Sequence, residues 1–126
     1  MGALSDLRAA HPQLFARPVW DELPRGWFDL VDTLCREIEA LLDPEPGRLV
    51  IKQIKAKYGE LRFYYSLEDG SPLMGRIRSL VEVATLRSTT TCEECGALGQ
   101  RSVRSAWVST LCKLHSGQSA RESDVK

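Results

Sequence analysis

Hydrophobic residues recur at three- and four-residue spacing between Trp27 and Leu42, and charged residues occupy most of the positions between them. This periodicity predicts an amphipathic α-helix of about 16 residues with one buried face. Pro44, Pro46 and Gly47 follow directly and end the pattern. The apolar face of the predicted helix contains Trp27, Phe28, Val31, Leu34, Cys35, Ile38, Leu41 and Leu42.

The pattern changes to a period of two after Arg48. Leu49-Val50-Ile51 opens an apolar stretch, and beyond the turn-like Tyr58-Gly59-Glu60 the side chains alternate along residues 61–66. Two such stretches joined by a turn predict a β-hairpin. We expect the side of this hairpin that carries Leu61, Phe63 and Tyr65 to pack on the first helix.

A second helix is predicted from Ser71, its N-cap, and Pro72, its first residue, to about Leu86. Its apolar stripe would contain Leu73, Ile77, Leu80, Val81 and Ala84. The fold class is therefore α+β, in one domain of 126 residues. We divide the chain into an irregular N-terminal segment (1–25, with a weak helical pattern at 3–16), an α+β core (26–90), a zinc-knuckle segment (91–115) and a flexible tail (116–126).

The chemistry of the chain concentrates in the pattern C-x2-C-x16-C-x2-H, formed by Cys92, Cys95, Cys112 and His115. Two ligands separated by two residues fit one tight turn, and a second pair returned by a hairpin completes a tetrahedron around Zn²⁺. Gly96 directly after the second cysteine supplies the positive φ that such a turn requires. The pattern predicts a structural zinc site. Singly buried cysteines, or a Cys92–Cys95 redox pair, remain alternatives.

Other candidate residues have simpler interpretations. The second histidine, His11, precedes Pro12 in a turn-like segment and is expected at the surface. Cys35 lies on the apolar helix face and is expected in the core. Trp20 and Trp107 are core residues or interface anchors, and the core is favoured. The acidic residues of the first helix, Asp29, Asp32, Glu37 and Glu39, are expected on a solvated face.

Charge is balanced overall, with 17 basic and 17 acidic residues, which excludes a uniformly basic nucleic-acid binder. The balance is uneven along the chain, because residues 1–48 carry a net charge of −4 and residues 49–126 a net charge of +4. Solvated surface, a protein interface and a nucleic-acid interface remain open for the basic part. Its candidate partner-binding residues are Lys52, Lys55, Lys57, Arg62, Tyr64, Arg101 and Arg104.

No set of catalytic residues, phosphate loop or dinucleotide fingerprint is found, so we expect a non-enzymatic protein. The sequence also lacks an apolar run of membrane-spanning length and a signal-peptide pattern. Clustered cysteines with a histidine suit a reducing compartment. We therefore expect a cytoplasmic protein that makes no membrane contact.

Several motifs follow one another along the chain: Gly26-Trp27 with Leu30-Val31 and Leu34-Cys35, residues 53–59 (QIKAKYG), residues 61–64 (LRFY), residues 91–96 (TCEECG), and residues 107–108 (WV) with 110–115 (TLCKLH). This ordered set resembles a group of small uncharacterised bacterial and prophage proteins. That group carries a segment like QIKEKFGGLRFY, then Cys-x-x-Cys-Gly, then an ending like Trp-x-x-Thr-Leu-Cys-x-x-His. Many members carry further cysteines just before the Gly-Trp pair, and residues 17–25 have none.

The resemblance spans about residues 26–115 and implies no established activity. The occurrence of the group in mobile and conflict-associated elements implies an inhibitor or immunity protein against a toxin or defence enzyme. We therefore expect a zinc-stabilised module that binds a protein partner. A nucleic-acid-binding zinc protein of bacterial or phage origin is the alternative.

Overall fold

The structure is a computed structural model that describes residues 3–16, 23–68, 70–104 and 106–116. The described residues form two antiparallel β-hairpins and four α-helices, so the predicted α+β class is confirmed. The helices are α1 (Ala3–Ala10), α2 (Phe28–Leu42), α3 (Met74–Ser88) and α4 (Lys113–Ser116). The strands are β1 (Leu49–Lys57), β2 (Glu60–Leu67), β3 (Gln100–Arg104) and β4 (Trp107–Leu111).

The long helix α2 supplies the centre of the core, as its periodicity predicts. A 3-10 turn, Arg25–Trp27, precedes it, and Trp27 and Cys35 are fully buried. Burial of this apolar stripe against the neighbouring elements is the main stabilising contribution of the helix. The buried residues of α2 are Leu30, Val31, Leu34, Cys35, Ile38 and Leu42.

Strands β1 and β2 form the predicted hairpin around Tyr58-Gly59. Both turn residues have positive φ, 56° and 76°, which is typical of the tight two-residue turn that matches strand twist. The pairing shifts register between Ile51 and Gln53, where Lys52 forms a bulge. Because of this bulge, the alternation of inward- and outward-facing side chains shifts by one residue, so that Ile51 and Ile54 are both buried.

Helix α3 begins at Met74, later than predicted. Ser71 and Pro72 form a preceding turn instead of a cap, and the Ser71 Oγ accepts a hydrogen bond from the Leu73 N–H at 3.2 Å. The helix lies against both α2 and β2. The expectation that the hairpin packs on the first helix is therefore incomplete, because α3 covers β2 while Leu61 and Phe63 join the same core as α2.

The N-terminal segment is more ordered than predicted, since residues 3–10 form helix α1. Leu7 and Leu14 are fully buried, and the Ile51 N–H donates to the Leu14 carbonyl at 2.9 Å. The expectation that His11 is a surface residue is wrong, because it is only 3% exposed. Its Nε2 lies 2.7 Å from an Asp32 oxygen and its Nδ1 lies 2.9 Å from a Glu39 oxygen.

The acidic residues of α2 therefore differ in how far they are buried. Asp29 and Glu37 are exposed, as predicted. Asp32 and Glu39 are half-buried because they face His11, and they lie seven residues apart on one side of the helix.

We refer to residues 91–116 as the Cys/His segment. It contains the β3–β4 hairpin and ends with α4, whose last residue, Ser116, is buried and was expected to open the flexible tail. The rest of that tail, and Trp20, lie outside the described residues. Within the described ranges, no helix is both long and apolar enough to cross a bilayer.

Candidate metal centre

Cys92 and Cys95 lie on a tight turn that follows α3. The Gly96 N–H donates to the Cys92 carbonyl at 2.9 Å, and the Cys92 N–H donates to the Ala97 carbonyl at 2.8 Å. Gly96 has a φ of 84°, as its position after the second cysteine predicts. The Glu94 N–H also points at the Cys92 Sγ, at 3.4 Å. Both sulfurs are thereby held at one side of the turn.

Cys112 and His115 occupy the junction between β4 and α4. The Ser116 N–H donates to the Cys112 carbonyl at 2.8 Å and closes a helical turn. Residues three apart on such a turn share one face. The Cys112 Sγ and the His115 Nδ1 accordingly lie 3.2 Å apart.

The two pairs meet to form a cluster whose four ligand atoms all lie within 4.8 Å of one another. The Cys95 and Cys112 sulfurs are 3.8 Å apart, and the Cys92 Sγ is 3.6 Å from the His115 Nδ1. Tetrahedral Zn²⁺ bound at usual lengths would separate two sulfurs by about 3.8 Å and a sulfur from a nitrogen by about 3.6 Å. The donor set and its spacing therefore fit a tetrahedral metal site.

Neighbouring groups change the pKa of two thiols in the cluster. The backbone N–H of His115, together with hydrogen bonds from the His115, Cys92 and Cys95 side chains, lowers the pKa of the Cys112 thiol to about 6. The Ala97 backbone N–H lowers the pKa of Cys95. Desolvation and hydrogen bonds with the Cys112 and Cys92 side chains outweigh that effect, so the pKa of Cys95 is raised. Metal ligation requires the thiolate form, and the lowered pKa of Cys112 favours that form.

The turn that carries the first cysteine pair docks directly on the start of α2. The Gly26 N–H donates to the Glu93 carbonyl at 2.8 Å, and the Trp27 Nε1–H donates to the Thr91 carbonyl at 2.8 Å. A Cβ on Gly26 would overlap the Cys92 carbonyl oxygen. Only glycine therefore permits this approach of the two backbones.

The β3–β4 hairpin docks on the turn between β1 and β2. The Thr110 Oγ1 donates to the Gly59 carbonyl at 2.6 Å, and Arg101 donates to the Tyr58 carbonyl from its Nε at 3.0 Å and from a terminal nitrogen at 2.7 Å. Glu93 links the two docking regions, because its carboxylate accepts the Thr110 N–H at 2.8 Å. Burial raises the pKa of Glu93 against the lowering effect of that N–H.

These docking residues were missed by the sequence analysis. Periodicity placed Trp27 on an apolar helix face and Gly59 in a turn, but no pattern indicated the docking contacts that Gly26, Trp27, Gly59 and Thr110 make. All four residues belong to the motifs that carry the resemblance to the prophage group, and that is the signal that could have indicated them. Arg101 was assigned to a partner surface, and the structure places its guanidinium on a carbonyl of the same chain.

The other candidate partner-binding residues mostly share one side of the first hairpin. We call this side the outer face. Lys55 lies directly opposite Arg62, Gln53 opposite Tyr64, and Lys57 opposite Glu60. Lys52 is exposed at the bulge, and Arg104 is the last residue of β3, with its side chain outside the described part of the structure. The outer face is formed by Gln53, Lys55, Lys57, Glu60, Arg62 and Tyr64.

Large apolar side chains are exposed on the Cys/His segment. Trp107 is 72% exposed, so the expectation of a core residue is wrong. The β3–β4 hairpin extends past the docking contacts at Arg101 and Thr110, and nothing described covers its tip. The exposed apolar residues of the segment are Leu98, Val103, Trp107 and Leu114.

No family model, no curated protein and no solved structure matches this chain.

Proposed function

We propose that this protein is a non-enzymatic module that folds its C-terminal part around structural Zn²⁺ and presents that part to a protein partner. The donor set supports zinc, because three cysteines and one histidine are typical of structural zinc sites. Four protein ligands complete a tetrahedron and leave no position for a reacting water, which argues against hydrolysis at the metal. Thiols of this kind persist in a reducing compartment, which supports a cytoplasmic location.

The observation that carries the protein-binding proposal is the exposure of Trp107 with Leu98, Val103 and Leu114 on one segment. Exposed tryptophan is costly in water and is enriched at the centres of protein interfaces. A segment clamped by a metal and by the docking contacts holds these side chains with little further loss of entropy on binding. The resemblance to prophage proteins supports a toxin or defence enzyme as the partner, which would make the protein an inhibitor or immunity protein.

Affinity purification from the native host tests this proposal. Wild-type protein is expected to retain a partner at one-to-one stoichiometry, and Trp107→Ala is expected to lose it while keeping its zinc content and its melting temperature. Leu86→Ala is the matched control, because Leu86 is 63% exposed on α3, outside the Cys/His segment. Equal retention by wild type and Trp107→Ala, or no retained protein, would contradict the proposal.

Nucleic-acid binding is the second candidate, and the composition of the outer face favours it. Lys55, Lys57 and Arg62 lie together on this face, and Glu60 is its one acidic residue. Basic side chains in a row can neutralise phosphates and release counterions.

A further inference from the structure

We infer that the outer face of the first hairpin binds single-stranded nucleic acid in preference to a duplex. This inference rests on the second candidate function and specifies its ligand. It concerns a different surface from the apolar residues of the Cys/His segment.

A pair of like charges on the outer face lies where it destabilises the sheet. Lys55 and Arg62 are directly opposite each other in the antiparallel pairing, and like charges at such positions repel. Glu60 offsets this only in part, through a contact of 3.1 Å with one terminal nitrogen of Arg62. An anionic chain lying across the two strands would relieve the repulsion, so charge complementarity selects a polyanion.

Arg62 has hydrogen-bonding capacity beyond its contact with Glu60. Its Nε is buried and makes no hydrogen bond within the described residues, so an acceptor reaches this atom only if the guanidinium turns outward. The contact with Glu60 involves one terminal nitrogen, and the side chain is 36% exposed. A guanidinium has five N–H donors, and phosphate oxygens are acceptors that match its geometry.

Exposed aromatic rings on and beside this face favour single strands over duplexes. Tyr64 lies two residues beyond Arg62 on the same face and is 45% exposed. At the other end of the row, Tyr58 is 58% exposed and the Lys57 Nζ lies 5.5 Å from its ring centroid. Unpaired bases stack on such rings, whereas a duplex keeps its bases stacked on one another and offers mainly phosphates.

Fluorescence anisotropy tests the inference with the full-length, zinc-loaded chain. The probes are a labelled 12-nucleotide single strand and the corresponding 12-base-pair duplex, each at low and moderate salt. We expect the single strand to bind at least ten-fold more tightly. We expect Tyr64→Ala to weaken single-strand binding about ten-fold, in line with the loss of one stacked base. Tyr64→Phe should retain the affinity, and duplex binding should not change.

Charge is tested separately. Lys55→Gln should weaken binding to both probes and reduce the salt dependence, whereas Arg78→Gln on the exposed side of α3 should do neither. Unchanged zinc content and melting temperature would establish that each variant is folded.

The outcomes are distinguishable. Equal or tighter binding to the duplex would overturn the single-strand inference and leave nucleic-acid binding standing. No binding to either probe at low salt would overturn both. Equally tight binding of a polyglutamate peptide, insensitive to Tyr64→Ala, would show that the face recognises acidic chains without base stacking, and would also overturn the inference.

Discussion

His11 connects the N-terminal segment to α2 through both of its ring nitrogens. The contacts of 2.7 and 2.9 Å with Asp32 and Glu39 place the ring between two carboxylates, and Arg36 pairs with Asp32 at 3.3 Å. Each ring nitrogen thus lies within hydrogen-bond distance of a carboxylate oxygen. A group that is buried and bonded in this way stabilises the fold mainly because its removal leaves acidic neighbours without a donor.

Replacing this histidine should therefore destabilise the protein more than its size suggests. We expect His11→Ala to lower the free energy of unfolding by about 2 kcal/mol, because two half-buried carboxylates would lose their shared donor. Urea unfolding measures the change. Gln13→Ala, at an exposed position two residues away, is the control and should change stability by less than about 0.5 kcal/mol. Equal stabilities of the two variants would show that the His11 contacts contribute nothing.

Substitution of Cys95 should release the metal, whereas substitution of Cys35 should leave it bound. We expect Cys95→Ser to release the metal and to disorder residues 90–115, because Cys95 is an exposed ligand whose loss opens the tetrahedron. Metal analysis and amide NMR spectra measure the two effects. Cys35→Ala is the control, since Cys35 is buried in the core on α2 and does not belong to the cluster. Zinc content that is undiminished in Cys95→Ser, with unchanged melting, would contradict the site.

At the scale of elements, the turn that carries Cys92 and Cys95 and the start of α2 approach each other so closely that their backbones touch. Gly26 allows this, and Trp27 adds an indole hydrogen bond to Thr91 from a fully buried position. The contact fixes where the first ligand pair lies relative to the core. The same glycine therefore affects both the 3-10 turn before α2 and the geometry of the site.

A pair of glycine substitutions separates this packing role from general backbone effects. Gly26→Ala should lower the free energy of unfolding by about 2 kcal/mol, since the added methyl group meets backbone atoms that cannot rotate away. Gly75→Ala, in α3, places its methyl group in open space and should raise stability by about 0.5 kcal/mol. Thermal and urea unfolding of both variants give the comparison. A Gly26→Ala protein as stable as wild type would show that the two elements separate without cost.

Local patterns predicted the elements, and long-range contacts decided what the patterns could not. Periodicity was sufficient for α2 and for the Tyr58-Gly59 turn, because both depend on neighbours within a few residues. Ligand spacing similarly indicated the Cys/His cluster. His11 was misassigned because its partners lie 21 and 28 residues away. Trp107 was misassigned because its hydrophobicity gives no information on whether another element covers it.

At the scale of the whole molecule, the two halves differ in how they are stabilised. The core around α2 buries many large apolar side chains. Among the described residues of the Cys/His segment, Cys92 is the only buried hydrophobic residue. We therefore expect the segment to depend for its order on its docking contacts and on a bound metal, whose free energy of binding would contribute directly to folding.

Removal of the metal should for this reason unfold one part of the protein and leave the other folded. We expect a zinc chelator to abolish amide protection in residues 91–116 and at the Tyr58-Gly59 turn, which loses the Arg101 and Thr110 contacts. Protection in α2 should persist, because its buried stripe does not involve the metal. Hydrogen exchange before chelation, after chelation and after zinc is restored measures this. Simultaneous loss of protection in α2 would show instead that the metal holds the whole fold together, and unchanged protection in residues 91–116 would show that the segment needs no metal.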